Sequence, residues 1–149
     1  MSIWVKPYLK ANRINGNETK KWLYYQAIKK FVHNVCGLAS HNIWQCIEGD
    51  EHLVLFGDTH NFAFKRRVFL DCMRYALENG LMKLGKNDKF LTGSIDSQIK
   101  QWQKNFPKSE VPLLTEDGAF YTWFFMPNCP AGFVWLCLQD DGTVYADWT

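Results

Sequence analysis

Two apolar stripes run along the stretch between residues 58 and 80, and they constrain the fold more than any other feature of the chain. Both follow helical spacing, and their members are Phe62, Phe69, Met73 and Leu77 in the first and Phe64, Val68, Cys72 and Tyr75 in the second. A helix that is apolar on two faces is buried on more than one side. The sequence therefore predicts a central helix that Asp58 or Thr59 caps and that Asn79-Gly80 ends, with Met73 and Leu77 in the core.

Three further segments have helical patterns. The first begins after Asn17, a capping residue, and continues to about residue 36; the second is a short turn over 40–47; the third covers 94–106, where Pro107 forces an end. Residues 1–16 have no apolar period and predict a loosely attached arm.

The remaining segments have strand patterns. Residues 81–91 alternate around a Gly-Lys-Asn-Asp turn and predict a small hairpin. Residues 119–125, 133–138 and 143–148 are rich in aromatic and β-branched side chains, and turns join them. They predict a three-stranded antiparallel meander. Residues 52–56 are ambiguous between a strand and a buried turn.

These elements predict an α+β fold, mainly helical, with about three main helices, a small hairpin and the C-terminal meander. At 149 residues the chain has the usual size of one domain, so we expect a single domain over 1–149. The sequence shows no secretory signal and no apolar run long enough to cross a membrane. We therefore expect a cytoplasmic protein that does not bind membranes.

Charge divides the chain into two unequal parts. Residues 1–108 contain all 17 Lys and Arg, whereas residues 109–149 contain none and carry six carboxylates among many aromatic rings. Aromatic anchors surrounded by charges are typical of protein-binding surfaces. The sequence predicts a partner-binding face that comprises Glu116, Asp117, Asp140, Asp141, Tyr145 and Asp147.

A basic cluster on the long helix suggests an alternative function. Lys65, Arg66, Arg67 and Arg74 could contact phosphates, and the hairpin after this helix is reminiscent of a winged helix. This pattern allows a nucleic-acid-binding regulator. The competing interpretation is a basic face that is solvated or paired with acids of the same chain.

No motif indicates catalysis or a cofactor. Five cysteines are scattered without a Cys-x-x-Cys pair, and their spacing to the four histidines matches no zinc motif, so we expect reduced, unmetallated thiols buried as small apolar groups. Asp58-Thr59-His60 is interpreted as a capping sequence. A Cys-His enzyme remains a third hypothesis without an activating context in the sequence.

Two groups of residues resemble a family of small bacterial proteins classed as a domain of unknown function. The motifs are Phe90-Leu91-Thr92-Gly93-Ser94-Ile95 with Gln98-Ile99, then Trp123-Phe124-Phe125, Pro127, Cys129-Pro130-Ala131-Gly132, Trp135 and Asp147-Trp148-Thr149. The resemblance covers the last two thirds of the chain. It implies a gene that lies beside large exoproteins of contact-dependent inhibition loci, where small proteins neutralise toxins.

The resemblance and the acidic C-terminal segment together predict an immunity-type protein. Such a protein would neutralise a contact-dependent or polymorphic toxin domain by covering it, without catalysis and without a cofactor. Its partner would be the toxin C-terminal domain, bound through the acidic, aromatic face.

Overall fold

A computed structural model describes residues 16–110 and 119–149 of the chain. The helices in these ranges are α1 (Gly16–Val35), α2 (Ser40–Ile47), α3 (Phe62–Glu78), α4 (Ile95–Asn105) and α5 (Ala119–Trp123), and the strands are β1 (Met82–Lys86), β2 (Lys89–Phe90), β3 (Gly132–Leu138) and β4 (Val144–Trp148). The predicted α+β class is confirmed. The predicted N-terminal arm lies almost wholly outside the described residues.

Helix α3 is the centre of the fold, as its two stripes predict. It packs against α1, α2, α4 and β1. Val68, Phe69 and Met73 are buried in the core. Leu77 and Phe64, near the two ends, are only half-buried. The prediction of a helix enclosed on several sides is confirmed. The prediction that Leu77 is buried is only partly right, because its side chain packs against the core but is half-buried, while Tyr75 and Ala76 in the same turn are buried.

The cap of α3 differs from the predicted one. Asn61 holds this position, and its side chain accepts the backbone N–H of Phe64 at 3.0 Å. Asp58 instead accepts the N–H of His60 at 2.9 Å and closes a turn before the helix. Asp, Asn and Thr are all good caps, so composition alone could not choose among neighbouring candidates.

The other helices occupy the predicted segments, but α1 begins at Gly16, so Asn17 lies inside its first turn and the prediction that Asn17 caps it is wrong. Helix α1 ends before Gly37, which has a φ of 95°, and Ser94 caps α4 by accepting the N–H of Ser97 at 3.1 Å. The ambiguous stretch 52–56 contains a short 3-10 turn, Leu53–Leu55, which buries Leu53. It is therefore a turn and not a strand, and it buries Leu53 while Val54 and Leu55 are exposed.

The four strands form one antiparallel sheet in the order β2-β1-β3-β4. The predicted hairpin over 81–91 is confirmed, and its turn residues Asn87 and Asp88 have positive φ angles of 54° and 62°, as a type I′ turn requires. Strand β3 pairs with β1 on one side, with Leu84 opposite Phe133, and with β4 on the other.

The predicted strand over 119–125 is wrong. Residues 119–123 are helical in α5, and the turn continues through hydrogen bonds from the N–H of Phe125 to Thr122 O. Phe120 in α5 and Phe124 in the turn directly after it lie four residues apart, and both are buried. The aromatic run has a high β propensity, but its rings fill the core when the segment is helical. Tertiary packing therefore outweighs the local preference. In place of the predicted three-stranded meander, the C-terminal part forms two strands, β3 and β4, and β3 pairs with β1 of the earlier hairpin.

A cluster of aromatic rings joins the helices to the sheet. Neighbouring ring centroids lie 5.0 to 6.5 Å apart in tilted, edge-on and stacked pairs, and the rings belong to Trp44, Phe62, Phe69, Trp102, Phe106, Phe120, Trp123, Phe124 and Phe133. Offset and edge-on ring pairs contribute beyond the area they bury. Many C-terminal aromatics are therefore core residues.

Shortening a side chain at the centre of α3 should be more costly than shortening one at its end. Met73 is 1% exposed, whereas Leu77 is half-buried. We expect Met73→Ala to lower the free energy of unfolding by about 2 to 5 kcal/mol and Leu77→Ala to lower it by less. Urea denaturation of both variants checks this order. Equal losses would show that the end of α3 is packed as tightly as its middle.

Candidate protein-binding surface

One face of the sheet packs on the helices, and the other faces away from them. Met82, Leu84, Phe133 and Trp135 belong to the core on the inner face, and the indole N–H of Trp135 donates to Leu38 O at 2.8 Å. Since successive side chains on a strand point to opposite faces, the residues between them lie on the outer face. That face is also largely apolar.

We call four exposed residues of this face the outer strip. They are Phe90, Leu138, Val144 and Trp148, with exposed fractions of 39%, 77%, 61% and 43%. Leu138 lies opposite Val144 in the β3–β4 ladder. Contiguous apolar side chains exposed on one surface are characteristic of interaction sites.

Glycine at position 85 allows the aromatic end of the outer strip to form. Any side chain at position 85 would overlap the Trp148 ring, because the ring occupies the place of a Cβ atom there. The indole therefore lies across the backbone of β1 and stacks on Phe90, with centroids 5.3 Å apart and an interplanar angle of 11°. Lys83 Nζ lies 4.9 Å from the Phe90 ring centroid. The two rings are thus held in place by the sheet.

The predicted acidic residues that the structure describes lie in the β3–β4 hairpin, but at different places and on different faces. Asp140 and Asp141 are exposed in the β3–β4 turn. Tyr145, which is 57% exposed, and the half-buried Asp147 lie on the inner face. Glu116 and Asp117 lie outside the described residues. The described members of the predicted face therefore share one hairpin, but they do not form one flat patch.

The turn carboxylate Asp141 is held in a fixed orientation. Its Oδ1 accepts the backbone N–H of Thr143 at 2.9 Å and the Thr143 hydroxyl at 2.6 Å. These hydrogen bonds lower the pKa of Asp141. The turn therefore keeps a negative charge in a defined position next to Val144.

Sequence reasoning missed the outer strip, although the sequence contains an indication of it. Residues 133–138 are apolar at every position. An uninterrupted apolar strand is apolar on both faces, which is typical of a strand that is covered on both sides. In the described structure the helices cover one face.

The buried position of Lys65 corrects the interpretation of the basic helix. Its side chain is 0% exposed, and Nζ lies 2.8 Å from Glu48 Oε1 and 3.1 Å from Glu110 Oε1. The ammonium group also lies 4.6 Å from the centroid of the Trp44 ring, a cation–π geometry. Lys65 is therefore not available to a phosphate.

The three arginines of the same group also have partners within the chain. Arg66 donates to Gln103 O at 2.9 Å. Arg74 donates to Asp96 at 2.7 Å and is mostly buried. Arg67 is largely exposed and lies 3.8 Å from a carboxylate oxygen of Asp71 on α3. The structure does not bring these four residues together as an open phosphate-binding face.

A buried carboxylate connects α1 to α3. The hydroxyl of Tyr24 donates to Asp71 Oδ2 at 2.7 Å. Burial raises the pKa of Asp71 to about 6, although the bond from Tyr24 and the nearby Arg67 oppose this shift. The pair is a structural link whose strength depends on pH.

The cysteines are less uniformly buried than predicted. Cys72 and Cys129 are buried, whereas Cys36, Cys46 and Cys137 are exposed, and all five are free thiols. Burial raises the pKa of Cys72 and raises that of Cys129 to about 11, the opposite of what a nucleophilic thiolate requires. Within residues 16–110 and 119–149, no group of three or more His, Cys, Asp or Glu side chains is placed to hold a metal ion.

Comparisons with known proteins find a family of unknown function and a protein of similar fold. Residues 77–149, just under half of the chain, match the model of a family described as a protein of unknown function, DUF596. A solved structure of an uncharacterized protein conserved in bacteria, from Neisseria meningitidis, has a similar fold. Its TM-score is 0.62 at 19% sequence identity, and the match covers 82% of this chain and 88% of the other. No curated protein matches the chain.

These comparisons support the coarser part of the predicted resemblance. An unknown-function family matches the C-terminal part of the chain, and the structural likeness shows a shared fold. In the described ranges, each helix is too short or too polar to cross a membrane.

Substitutions at Lys65 should reveal its buried ion pair. Lys65→Glu would place three carboxylates together, and we expect it to lower the free energy of unfolding by about 3 to 5 kcal/mol. Lys65→Met retains a long apolar stem over Trp44, and Glu48 and Glu110 both reach solvent. We therefore expect Lys65→Met to cost less than about 2 kcal/mol. Chemical denaturation of both variants is the measurement; a fully stable Lys65→Glu would mean that Lys65 lies at the surface.

Asp71 should make the stability decrease as the pH rises. Its pKa is about 6 in the folded chain against an ordinary value of 3.8, so the folded state binds more protons between these values. The stabilising contribution is complete below pH 4 and is lost as the pH passes 6. Asp71→Asn keeps an acceptor for Tyr24 without the charge. As the pH rises from 4 to 7, we expect the free energy of unfolding of this variant to increase by up to about 3 kcal/mol relative to that of the natural protein. Parallel stability curves over this range would contradict the assignment.

Proposed function

We propose that this chain is an immunity-type protein that neutralises a bacterial toxin domain by binding it and covering its active surface. The observation that carries the proposal is the β3–β4 hairpin. It carries three members of the outer strip, Leu138, Val144 and Trp148, together with the turn carboxylates Asp140 and Asp141, and its strand β4 is an edge of the sheet. The proposal places this activity in the cytoplasm.

The composition of this surface favours a protein partner. Trp148 and Phe90 supply rigid aromatic area at one end of the outer face, and the turn carboxylates lie at the other end of β4, next to Val144. Interfaces depend on such anchors at their centre and on charged groups at their rim. A flat sheet face suits a macromolecule better than a small molecule, which usually binds in a concave pocket.

The local charge favours a basic partner. Residues 109–149 carry no Lys or Arg, so the acidic turn has no cation of its own segment to offset it. Complementary charges increase the association rate and select the orientation of the complex. Toxin domains that attack nucleic acid need basic surfaces to bind phosphates, and an acidic protein could occupy these surfaces.

The toxin as partner is inferred from the resemblance to small proteins beside contact-dependent inhibition loci. The match over 77–149 supports the resemblance to a family of unknown function, and the assignment to toxin neutralisation goes beyond it. The alternative, a nucleic-acid-binding regulator, loses its main argument because Lys65 is buried and Arg74 is engaged with Asp96.

The turn carboxylates should control the rate of toxin binding. We expect Asp140→Asn with Asp141→Asn to slow association with the toxin C-terminal domain encoded beside this gene, and to flatten the salt dependence of the rate. The Asn side chain at 141 retains an oxygen for Thr143, so the fold should persist. Stopped-flow association measured at several salt concentrations checks this outcome.

A matched control removes two exposed carboxylates elsewhere. Glu51→Gln with Asp88→Asn changes the net charge equally, and Asn tolerates the positive φ of position 88. We expect this control to bind almost like the natural protein. If both double variants slow association equally, the effect comes from net charge and not from the β3–β4 turn. If the natural protein neither binds nor neutralises the toxin, the proposed function is wrong.

A further inference from the structure

The two edges of the sheet differ in how they are protected. Strand β2 forms one edge with only two residues, of which one is Lys89. Strand β4 forms the other edge with five residues and contains neither Lys nor Pro. Short strands, lysines and prolines are the usual means by which proteins prevent pairing at an edge. One edge is blunted in this way, and the other is left longer and more apolar.

The register shows which backbone groups of β4 point away from the sheet. The N–H of Gln139 donates to Thr143 O at 2.7 Å, and the N–H of Thr149 donates to Phe133 O at 3.2 Å. These bonds mark Thr143 and Thr149 as residues whose backbone faces β3. In an antiparallel ladder such residues alternate with those that face outward.

The outward-facing residues of β4 are therefore Val144, Ala146 and Trp148. Among the described residues, no strand pairs with this edge. Three backbone N–H groups and three C=O groups are directed away from β3, and these are the groups that an added strand would bind.

The side chains of β4 specify what could bind there. Val144 and Trp148 lie on the outer face, whereas Tyr145 and Asp147 lie on the inner face. An added strand would place alternate side chains beside each group. An apolar residue suits the outer positions, and a Lys or Arg suits the position beside Asp147.

A second copy of this chain fits the edge less well than a basic segment does. Antiparallel pairing centred on Ala146 would place the two Asp147 carboxylates at diagonal positions on one face. Each copy would also add an acidic β3–β4 turn, while residues 109–149 contain no Lys or Arg to offset these charges. Like charges on neighbouring strands are destabilising.

We propose that β4 binds an extended segment of the partner protein as a fifth strand, and that this segment alternates apolar and basic residues. This inference rests on the proposed function, because it specifies how the neutralised toxin domain is held. Backbone hydrogen bonds to Val144, Ala146 and Trp148 supply affinity, and the side chains on the two faces supply selectivity.

Amide hydrogen exchange measured by NMR tests the edge directly. In the free protein, we expect the amides of Val144, Ala146 and Trp148 to exchange fast and those of Tyr145 and Asp147 to exchange slowly. The probe is the peptide acetyl-Val-Lys-Val-Lys-Val-Lys-Val-amide, with a matched peptide that has Glu in place of Lys. The Lys peptide should slow exchange at the three outward amides by about tenfold or more, and the Glu peptide should not. Slow exchange at Ala146 before any addition, or no effect of the Lys peptide, overturns the proposal.

A proline at the centre of the edge tests the same contact in the toxin complex. Ala146→Pro removes an outward N–H and no bond to β3, whereas Ala146→Val keeps the N–H and is a matched control. We expect Ala146→Pro to weaken binding of the toxin domain by about tenfold or more, and Ala146→Val to bind almost normally. Melting curves identify loss of fold, in which case the exchange experiment on the natural protein decides.

The outcomes separate this inference from the proposed function. If the natural protein binds the toxin domain and a folded Ala146→Pro variant binds equally well, strand addition is wrong and the proposed function stands. If the natural protein does not bind the toxin domain but the Lys peptide protects the outward amides, the edge is a binding site and the toxin is the wrong partner. If two copies of the free protein protect each other's β4 amides at high concentration, the occupant is a second copy and the proposal of a basic segment is wrong.

Discussion

The enclosure of α3 is the constraint on which the rest of the structure depends. This helix contacts α1, α2, α4 and β1, and Phe69 on it stacks against Phe133 of β3 at a centroid distance of 5.7 Å. Apolar side chains on several faces of one helix can be removed from water only if other elements surround it. The sheet is then left to cover one side of the core, and its second face remains outside.

The aromatic cluster makes this arrangement compatible with a buried charge. Lys65 lies over Trp44 and between Glu48 and Glu110. An ammonium group in a protein interior requires such compensation, because the loss of hydration costs several kcal/mol. Glu110 directly precedes the segment 111–118, so the ion pair holds the chain to α3 just before that segment. The same ion pair buries Lys65, so this residue is not available on the helix surface to bind a phosphate.

The exposed hairpin β3–β4 results from the same architecture. The helices cover the inner face, where Met82 and Trp135 pack, while Trp148 partly covers the outer face by lying across Gly85. The remaining exposed apolar groups, Leu138 and Val144, lie next to the turn carboxylates, and β4 leaves one edge of the sheet free among the described residues. We infer that one short hairpin brings together backbone groups, apolar area and negative charge, the three properties that a basic partner strand could use.

Local patterns in the sequence determined much of the secondary structure. The spacing of Phe69 and Met73 predicted a buried helix, Ser94 and Pro107 bounded α4, and Asn87-Asp88 marked a hairpin turn. These features act through backbone preferences and periodicity over a few residues, so a single segment contains the information. The concentration of acids after residue 109 also located the hairpin that we propose binds a partner.

Only the tertiary structure decided where the ambiguous groups lie. The aromatic run that starts at Ala119 has strand propensity but forms a helix, because Phe120 and Phe124 fill the core from a helical face. Lysine is usually a surface residue, but Lys65 is buried, because Glu48 and Glu110, which are distant in the sequence, form ion pairs with it. The edge position of β4 likewise depends on the pairing of β3 with β1, which lies some fifty residues earlier. Burial and pairing depend on contacts between distant segments, whereas periodicity and capping are local, and this difference sets what the sequence alone could determine.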